Sequence, residues 1–156
     1  MKVLVDTSIW SAALRRDRPA SSPVVRELRH LIGDHLVEII GPIRQELLSG
    51  IRDESQFKRL ENHLTAFPDI DLTIEDYVVA AKFFNLCRTR GIQGSNTDFL
   101  ICAVAVRNDL AIFTTDKDFL LFAKYLPIVL HKARERFEPS APPLPRARGG
   151  HLEGER

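Results

Sequence analysis

The stretch KVLVDTS at residues 2–8 decides the fold class predicted for the whole chain. The aliphatic run Val3 to Val5 is short and continuous, which is typical of a buried strand. It ends on a charged residue, Asp6. The same arrangement recurs in AIFTTD at residues 111–116, where Asp116 follows a second apolar run. Two buried strands that each end at an acid indicate a polar site at one edge of a sheet.

Helical patterns lie between these strands. Apolar residues recur at helical spacing over 24–31, 43–51, 57–64 and 77–87, and a segment that is apolar almost all round runs from about 98 to 108. Further strand-like runs at 36–40, 70–72 and 127–130 bring the predicted strands to five. Strands that alternate with helices predict a parallel sheet covered on both faces, with ligands bound beyond the carboxyl ends of the strands.

The composition is that of an ordinary globular protein. The chain has 156 residues, of which 44% are apolar and 28% charged, and its formal net charge is +1. These values exclude a collagen-like chain, a fully disordered chain and a disulfide scaffold. The chain also lacks the strong positive charge of many nucleic-acid binders. We predict one domain over residues 1–137 and a disordered tail, rich in Pro, Gly and Arg, over residues 138–156.

The sequence carries no sign of membrane insertion or export. No apolar run approaches the roughly 20 residues that a spanning helix needs. Charge appears too early at the N-terminus for a secretory signal. Cys87 and Cys102 lack the CxxC spacing and lie among apolar neighbours, which favours buried free thiols. We therefore predict a cytoplasmic protein that does not contact a membrane.

Four acidic residues fall where strand ends and helix starts can meet: Asp6, Glu46, Asp98 and Asp116. Carboxylates that are brought together repel and raise one another's pKa, and a divalent cation offsets that repulsion directly. Carboxylate oxygens without Cys or His suit hard ions such as Mg²⁺ or Mn²⁺, and no histidine has zinc-like spacing. We predict that these four residues bind Mg²⁺, with Mn²⁺ as a possible substitute, and carry the catalysis.

Each acid also has a purely structural interpretation. Asp6 could cap the helix that follows it, and Asp98 fits a capping box with Ser95. Glu46 could be a flank residue of an amphipathic helix. Asp118 fits a capping box over residues 115–118, reaching back from the third position. Only the joint pattern of the acids favours a metal site.

Several polar and basic residues near the acids have two interpretations as well. The hydroxyls of Thr7, Ser8 and Thr114 would either orient an acid or a water, or cap helices. For Asn96 we expect helix capping rather than a role behind the metal ligands. The basic residues in the segment after Asp6, namely Arg15, Arg16 and Arg18, would either steer a phosphate backbone or form a solvated charge run.

The four acidic segments resemble the motifs of the PIN domain. DTS at residues 6–8, ELLSG at 46–50, Gly91 followed by DFLICA at 98–103, and TTDKDF at 114–119 match them in order and spacing. The resemblance extends over about residues 1–131. The compact single-domain form is similar to the VapC toxins of VapBC toxin–antitoxin modules, from which the proline-rich tail departs.

This resemblance implies a specific fold and activity. The fold would be a PIN-like three-layer α/β/α sandwich with a five-stranded parallel sheet of order 3-2-1-4-5, which places Asp6 beside Asp116. The activity would be that of a Mg²⁺-dependent endoribonuclease that acts as a toxin. The implied partners are an RNA substrate, a cognate VapB-like antitoxin and a second copy of the chain in a homodimer.

Three other classes of protein share part of this pattern. A catalytically silent PIN-fold module that binds nucleic acid or protein is the main alternative, although such a module would be expected to have lost one or more acids. A receiver-type signalling domain needs an adjacent acidic pair after its first strand, whereas Thr7 and Ser8 follow Asp6 here. A phosphatase of the D-x-D type needs a second Asp where this chain has Ser8.

Overall fold

The computed structural model describes residues 1–14 and 22–134. The elements in chain order are β1 (Val3–Val5), α1 (Thr7–Leu14), α2 (Pro23–Gly33), β2 (Val37–Glu38), α3 (Gly41–Leu48), α4 (Glu54–Leu64), α5 (Ile74–Thr89), α6 (Asn96–Arg107), β3 (Ala111–Phe113), α7 (Asp118–Phe122) and β4 (Val129–Leu130). The predicted tail and the three arginines at 15, 16 and 18 lie outside the described residues, so the domain boundary at 137 stays a prediction.

The strands form one parallel sheet in the order β2-β1-β3-β4. On one side of β1, Val3 pairs with Val37 of β2. On the other side, Val3 pairs with Ala111 of β3 and Val5 pairs with Phe113. The predicted neighbourhood of the first and fourth sequence strands is therefore confirmed, and with it the parallel α/β class.

The prediction of a third strand at residues 70–72 is wrong. Within the described residues the sheet has four strands, and this segment touches it at a single parallel bridge between Ile39 and Asp69. Ile70 donates one backbone hydrogen bond to Ile39 (2.9 Å) before the chain leaves the sheet. The segment is cut short because Thr73 already caps α5, which begins at the next residue.

The sheet is covered on both faces. All three residues of β1 and all three of β3 are buried. Because successive side chains of a strand point to opposite faces, apolar groups must pack against both sides. The seven residues from Phe99 to Ala105 on α6 are buried as well, as predicted for a central helix that is apolar almost all round.

A buried ion pair joins α5 to α6. Thr73 and Asp76 form the predicted capping box at the start of α5, where the Thr73 amide donates to Asp76 Oδ2 (2.8 Å). Arg107, the last residue of α6, donates from Nη2 to the same carboxylate (2.7 Å). Asp76 is 1% exposed, so its charge is compensated almost entirely by these two partners.

Two further predictions are tested by the fold. Cys87 and Cys102 are buried free thiols, as expected. Among the helices that the structure describes, none is both long and apolar enough to cross a membrane.

The Asp76 ion pair predicts a pH-dependent contribution to stability. Burial raises the pKa of Asp76, but the hydrogen bonds from Arg107 and Thr73 outweigh it, so its pKa lies below the ordinary value of 3.8. This stabilisation is complete above that value and is lost as the pH falls through the lowered pKa. Asp76→Asn should reduce the free energy of unfolding by roughly 1–3 kcal/mol at pH 7.

Denaturant unfolding of the two proteins from pH 7 to pH 3 tests this expectation. The difference between them should narrow below about pH 4, where the wild type loses its own ion pair. Glu61→Gln, which removes an exposed pair with Lys58, should change the free energy of unfolding by less than about 0.5 kcal/mol. A difference that stays constant over the whole range would contradict the assignment.

Candidate metal centre

Two adjacent parallel strands bring the first pair of acids to the same edge of the sheet. Asp6 follows β1 directly, and its amide donates to the carbonyl of Phe113 at the end of β3 (2.9 Å). This bond extends the pairing one residue beyond the strands. Asp116 follows three residues after Phe113, so both acids lie beyond the carboxyl ends of their strands, where parallel sheets bind ligands.

Two helices supply the other acids. Glu46 lies on α3, and Asp98 occupies the first turn of α6. All four predicted site residues line one cavity of about 620 Å³. The remaining lining residues are small or hydroxyl-bearing: Thr7, Ser8, Ser11, Ala12, Ser95, Thr97 and Thr115. Asp118 does not line the cavity.

Asp6 is fixed by three hydrogen bonds at the floor of this cavity. The hydroxyls of Thr114 (2.7 Å) and Ser8 (3.0 Å) both donate to Asp6 Oδ2. The amide of Thr7 donates to Oδ1 (2.8 Å). Asp6 is 8% exposed, and these donors replace much of the water that burial removes. They also fix its orientation toward the cavity.

Thr7 and Thr114 also connect Asp6 to two of the other acids. The Thr7 hydroxyl donates to Glu46 Oε2 on α3 (3.1 Å). The Asp116 amide donates to the Thr114 hydroxyl (3.0 Å), which itself donates to Asp6. Of the two interpretations of Thr7, Ser8 and Thr114, the structure therefore supports orientation of the acids.

Asp98 both caps α6 and faces the cavity. Its Oδ2 accepts from the Ser95 amide (3.0 Å) and its own amide donates to the Ser95 hydroxyl (3.1 Å), which completes the predicted capping box. Its Oδ1 accepts no hydrogen bond from the described residues, so it is available to a ligand in the cavity. The expectation for Asn96 is wrong, because Ser95 is the cap and Asn96 is the first residue of α6.

The predicted capping box at Asp118 is also wrong. The amide of Asp118 donates to Asp116 Oδ1 (2.9 Å), so Asp116 is the acceptor and Asp118 does not reach back. A turn this tight favours the closer side chain, which bonds two residues ahead as in an Asx turn. Asp116 is thereby attached to the start of α7 while it faces the cavity.

Burial and mutual repulsion shift the pKa of two acids upward. Burial is the main reason that the pKa of Asp6 is raised; the three hydrogen bonds oppose the shift and the charge of Glu46 adds to it. Burial likewise raises the pKa of Asp98, against the Ser95 hydrogen bonds, and the charges of Asp116 and Asp6 add to the effect. The charge of Glu46 therefore acts on Asp6, and the charges of Asp116 and Asp6 act on Asp98, across the cavity.

The donor set suits a hard cation that keeps part of its hydration shell. Within residues 1–14 and 22–134, no three Asp, Glu, His or Cys side chains are already arranged to hold a metal ion. Mg²⁺ does not need such a cage, because proteins usually hold it by one or two carboxylates and several waters. Four carboxylates around an open cavity, without Cys or His, fit that mode of binding.

Ser11 and Thr97 are among the lining residues that were not singled out from the sequence. Ser11 lies one helical turn after Thr7 on α1, so helical spacing would have placed it on the same face. Thr97 is adjacent to Asp98 and projects into the cavity from the first turn of α6. No local sequence signal separates Thr97 from an ordinary helix residue.

An α/β domain with an acidic cavity at the edge of a parallel sheet is the class that fold and site define. The sequence matches the PIN domain family over residues 3–125. The chain is 30% identical over 126 residues to VapC ribonuclease Mb1587 of Mycobacterium bovis. The aligned residues cover 78% of this chain and 92% of that protein. The same values hold for ribonuclease VapC11 of Mycobacterium tuberculosis. The chain therefore belongs to the PIN domain family, and VapC ribonucleases are among its relatives.

Solved structures show the same fold at lower sequence identity. FitAcB from Neisseria gonorrhoeae is 20% identical, with a TM-score of 0.69 over 84% of this chain and 97% of that one. VapBC2 from Rickettsia felis, solved with a DNA fragment from its promoter, is 18% identical, with a TM-score of 0.67 over 84% of this chain and 98% of that one.

The raised pKa of Asp98 predicts that its charge destabilises the protein without metal. Asp98→Asn keeps the oxygen that accepts from Ser95 but removes the repulsion, so in EDTA the unfolding midpoint should rise by about 2–4 °C. Asp53→Asn should lower the midpoint, because hydrogen bonds from Ser55 and Gln56 hold the pKa of Asp53 below its usual value. Thermal unfolding in EDTA measures both, and a fall in the Asp98→Asn midpoint would contradict the expectation.

Proposed function

We propose that this protein is a Mg²⁺-dependent endoribonuclease and the toxin component of a toxin–antitoxin pair. The observation that carries the proposal is the single cavity lined by Asp6, Glu46, Asp98 and Asp116. Membership of the PIN domain family and the VapC ribonucleases among its relatives give the reaction class.

The four carboxylates would hold the metal, directly or through water. Mg²⁺ bound there would lower the pKa of a coordinated water and offset the charge that develops on the phosphoryl group. Asp6 contributes a fixed, buried carboxylate, because three hydrogen bonds prevent it from turning. Asp98 contributes its free Oδ1 from the start of a buried helix.

The two exposed acids would have a second task besides holding the metal. Glu46 and Asp116 lie at the solvent-facing rim of the cavity, where a phosphodiester and a water have access. A rim carboxylate would accept the proton of the water that attacks phosphorus in line. The bond to the 3′-oxygen breaks, and that oxygen takes up a proton from solvent. The products would carry 5′-phosphate and 3′-hydroxyl ends.

The preference for RNA rests on the relatives rather than on the chemistry of the site. A water nucleophile does not use the 2′-hydroxyl, so four carboxylates and a metal would act on either nucleic acid. The relatives that cover 78% of this chain are named ribonucleases, and this similarity supports RNA as the substrate.

Two protein partners belong to the proposal. VapBC2 and FitAcB share this fold, and the likeness to VapBC modules supports a cognate antitoxin for this chain. A basic antitoxin side chain near the cavity would compensate the carboxylates and compete with the metal. A homodimer is supported by the outer face of α5, where Ile74, Tyr77 and Val78 are exposed over one helical turn.

Incubation of the purified protein with total cellular RNA, in Mg²⁺ and in EDTA, tests the activity. Mapping of fragment ends should show internal cleavage with 5′-phosphate ends in Mg²⁺ and intact RNA in EDTA. A catalytically silent module would retain RNA or protein binding and leave the RNA intact in both conditions.

Replacement of Asp6 gives the sharpest test of the site. Asp6→Asn should lower the Mg²⁺-dependent cleavage rate by at least about a hundredfold, because the buried carboxylate is the best-fixed candidate ligand. The thermal unfolding midpoint should not fall, since the variant removes a buried charge. Glu61→Gln on α4, outside the cavity, should cleave at the wild-type rate. Undiminished cleavage by Asp6→Asn would exclude the proposed site.

A further inference from the structure

Gly94 lies directly against a buried aromatic ring in the loop before α6. A Cβ atom added at Gly94 would stand 2.6 Å from Cζ of Phe122, 3.1 Å from its Cε1 and 3.0 Å from Cε2 of Phe99. Contacts below 3.0 Å are forbidden to real Cβ atoms. Gly94 is not among the glycines with positive φ, so the backbone does not require glycine there. The requirement is one of space.

The Phe122 ring has little room to move away. Phe122 is 0% exposed. The ring packs against Phe119 with centroids 5.2 Å apart and against Phe99 with centroids 4.8 Å apart. Because interiors are close-packed, an added methyl group at Gly94 would displace the loop rather than the ring.

This contact lies between two of the four acids. On the α7 side, Phe119 and Phe122 belong to the helix whose first amide, that of Asp118, bonds to Asp116 Oδ1 (2.9 Å). On the α6 side, Gly94 is followed by Ser95, whose amide donates to Asp98 Oδ2 (3.0 Å). A shift of the loop at Gly94 would therefore move Asp98, and a shift of α7 would move Asp116.

We propose that the contact between Gly94 and Phe122 sets the separation of Asp98 and Asp116, and that Gly94 is a positioning residue for the divalent cation. The proposal rests on the proposed function, since it requires these carboxylates to bind that cation. Gly94 touches neither metal nor substrate; it lets the Ser95 cap approach α7 closely enough for both acids to face one ion.

Metal binding by full-length variants tests the contact, with one substitution at Gly94 and another at Phe122. Gly94→Ala adds a methyl group to the loop, and Phe122→Tyr adds a hydroxyl to Cζ, the ring atom that faces Gly94. In both variants the dissociation constants for Mn²⁺ and Mg²⁺ should rise by about tenfold or more. Electron paramagnetic resonance measures the constant for Mn²⁺, and calorimetry measures the constant for Mg²⁺. RNA cleavage should fall at a fixed Mg²⁺ concentration and recover partly at a higher one.

A second substitution should rescue the first. Leu in place of Phe122 has no Cε or Cζ atoms, so Gly94→Ala combined with Phe122→Leu relieves the clash. The double variant should bind Mn²⁺ with nearly the wild-type dissociation constant, although it unfolds at a lower temperature than the wild type. A merely structural role for Gly94 would not give this result, because Phe122→Leu by itself destabilises the core.

Two control variants separate an effect on the position of the acids from an effect on the stability of the protein. Gly33→Ala adds a methyl group where no atom lies within 4 Å, so it should leave Mn²⁺ binding unchanged. Val25→Ala removes buried carbon on α2, away from the cavity, and should lower the unfolding midpoint without changing Mn²⁺ binding.

The outcomes are distinct. Wild-type Mn²⁺ affinity in Gly94→Ala, or failure of Phe122→Leu to restore it, overturns the inference. If Gly94→Ala does not fold, unchanged Mn²⁺ binding in Phe122→Tyr overturns it instead. If the wild type binds no Mn²⁺ and cleaves no RNA, the proposed function fails.

Discussion

Mutual repulsion among four carboxylates is the constraint that the rest of the structure has to satisfy. Parallel pairing of β1 with β3 carries Asp6 and Asp116 to the same edge of the sheet, and α3 and α6 bring Glu46 and Asp98 against them. Within the part of the chain that the structure describes, no strand of the sheet is longer than three residues. A buried core that covers both sheet faces must therefore supply the free energy that holds the charges together.

The hydroxyl groups around Asp6 reduce this cost without cancelling the charge. Two hydroxyls and one amide donate to the carboxylate, yet its pKa remains raised because burial outweighs them. If an arginine compensated Asp6 as Arg107 compensates Asp76, the pKa of Asp6 would be lowered. The arginine would also block the binding of a cation by Asp6. The contrast between these two buried aspartates separates an acid that stabilises the fold from one that is available to a ligand.

The structural and functional interpretations of an acid turned out to be compatible. Asp98 caps α6 with one oxygen and faces the cavity with the other, and Asp116 binds the start of α7 while it lines the same cavity. Helix termini that point at the site thus fix the acids in place. An individual capping signal in the sequence neither supported nor opposed a site role, which is why only the joint pattern of acids was informative.

Local signals in the sequence determined the strands that end on acids, the capping boxes at Thr73 and Ser95, the central helix and the set of four acids. They act between residues a few positions apart, so periodicity and spacing reveal them. Tertiary structure alone decided that residues 70–72 form no strand and that the hydroxyls orient the acids. Thr114 meets Asp6 across 108 residues of sequence, and Gly94 meets a ring on another helix. Such contacts depend on how whole elements pack, which no local pattern encodes.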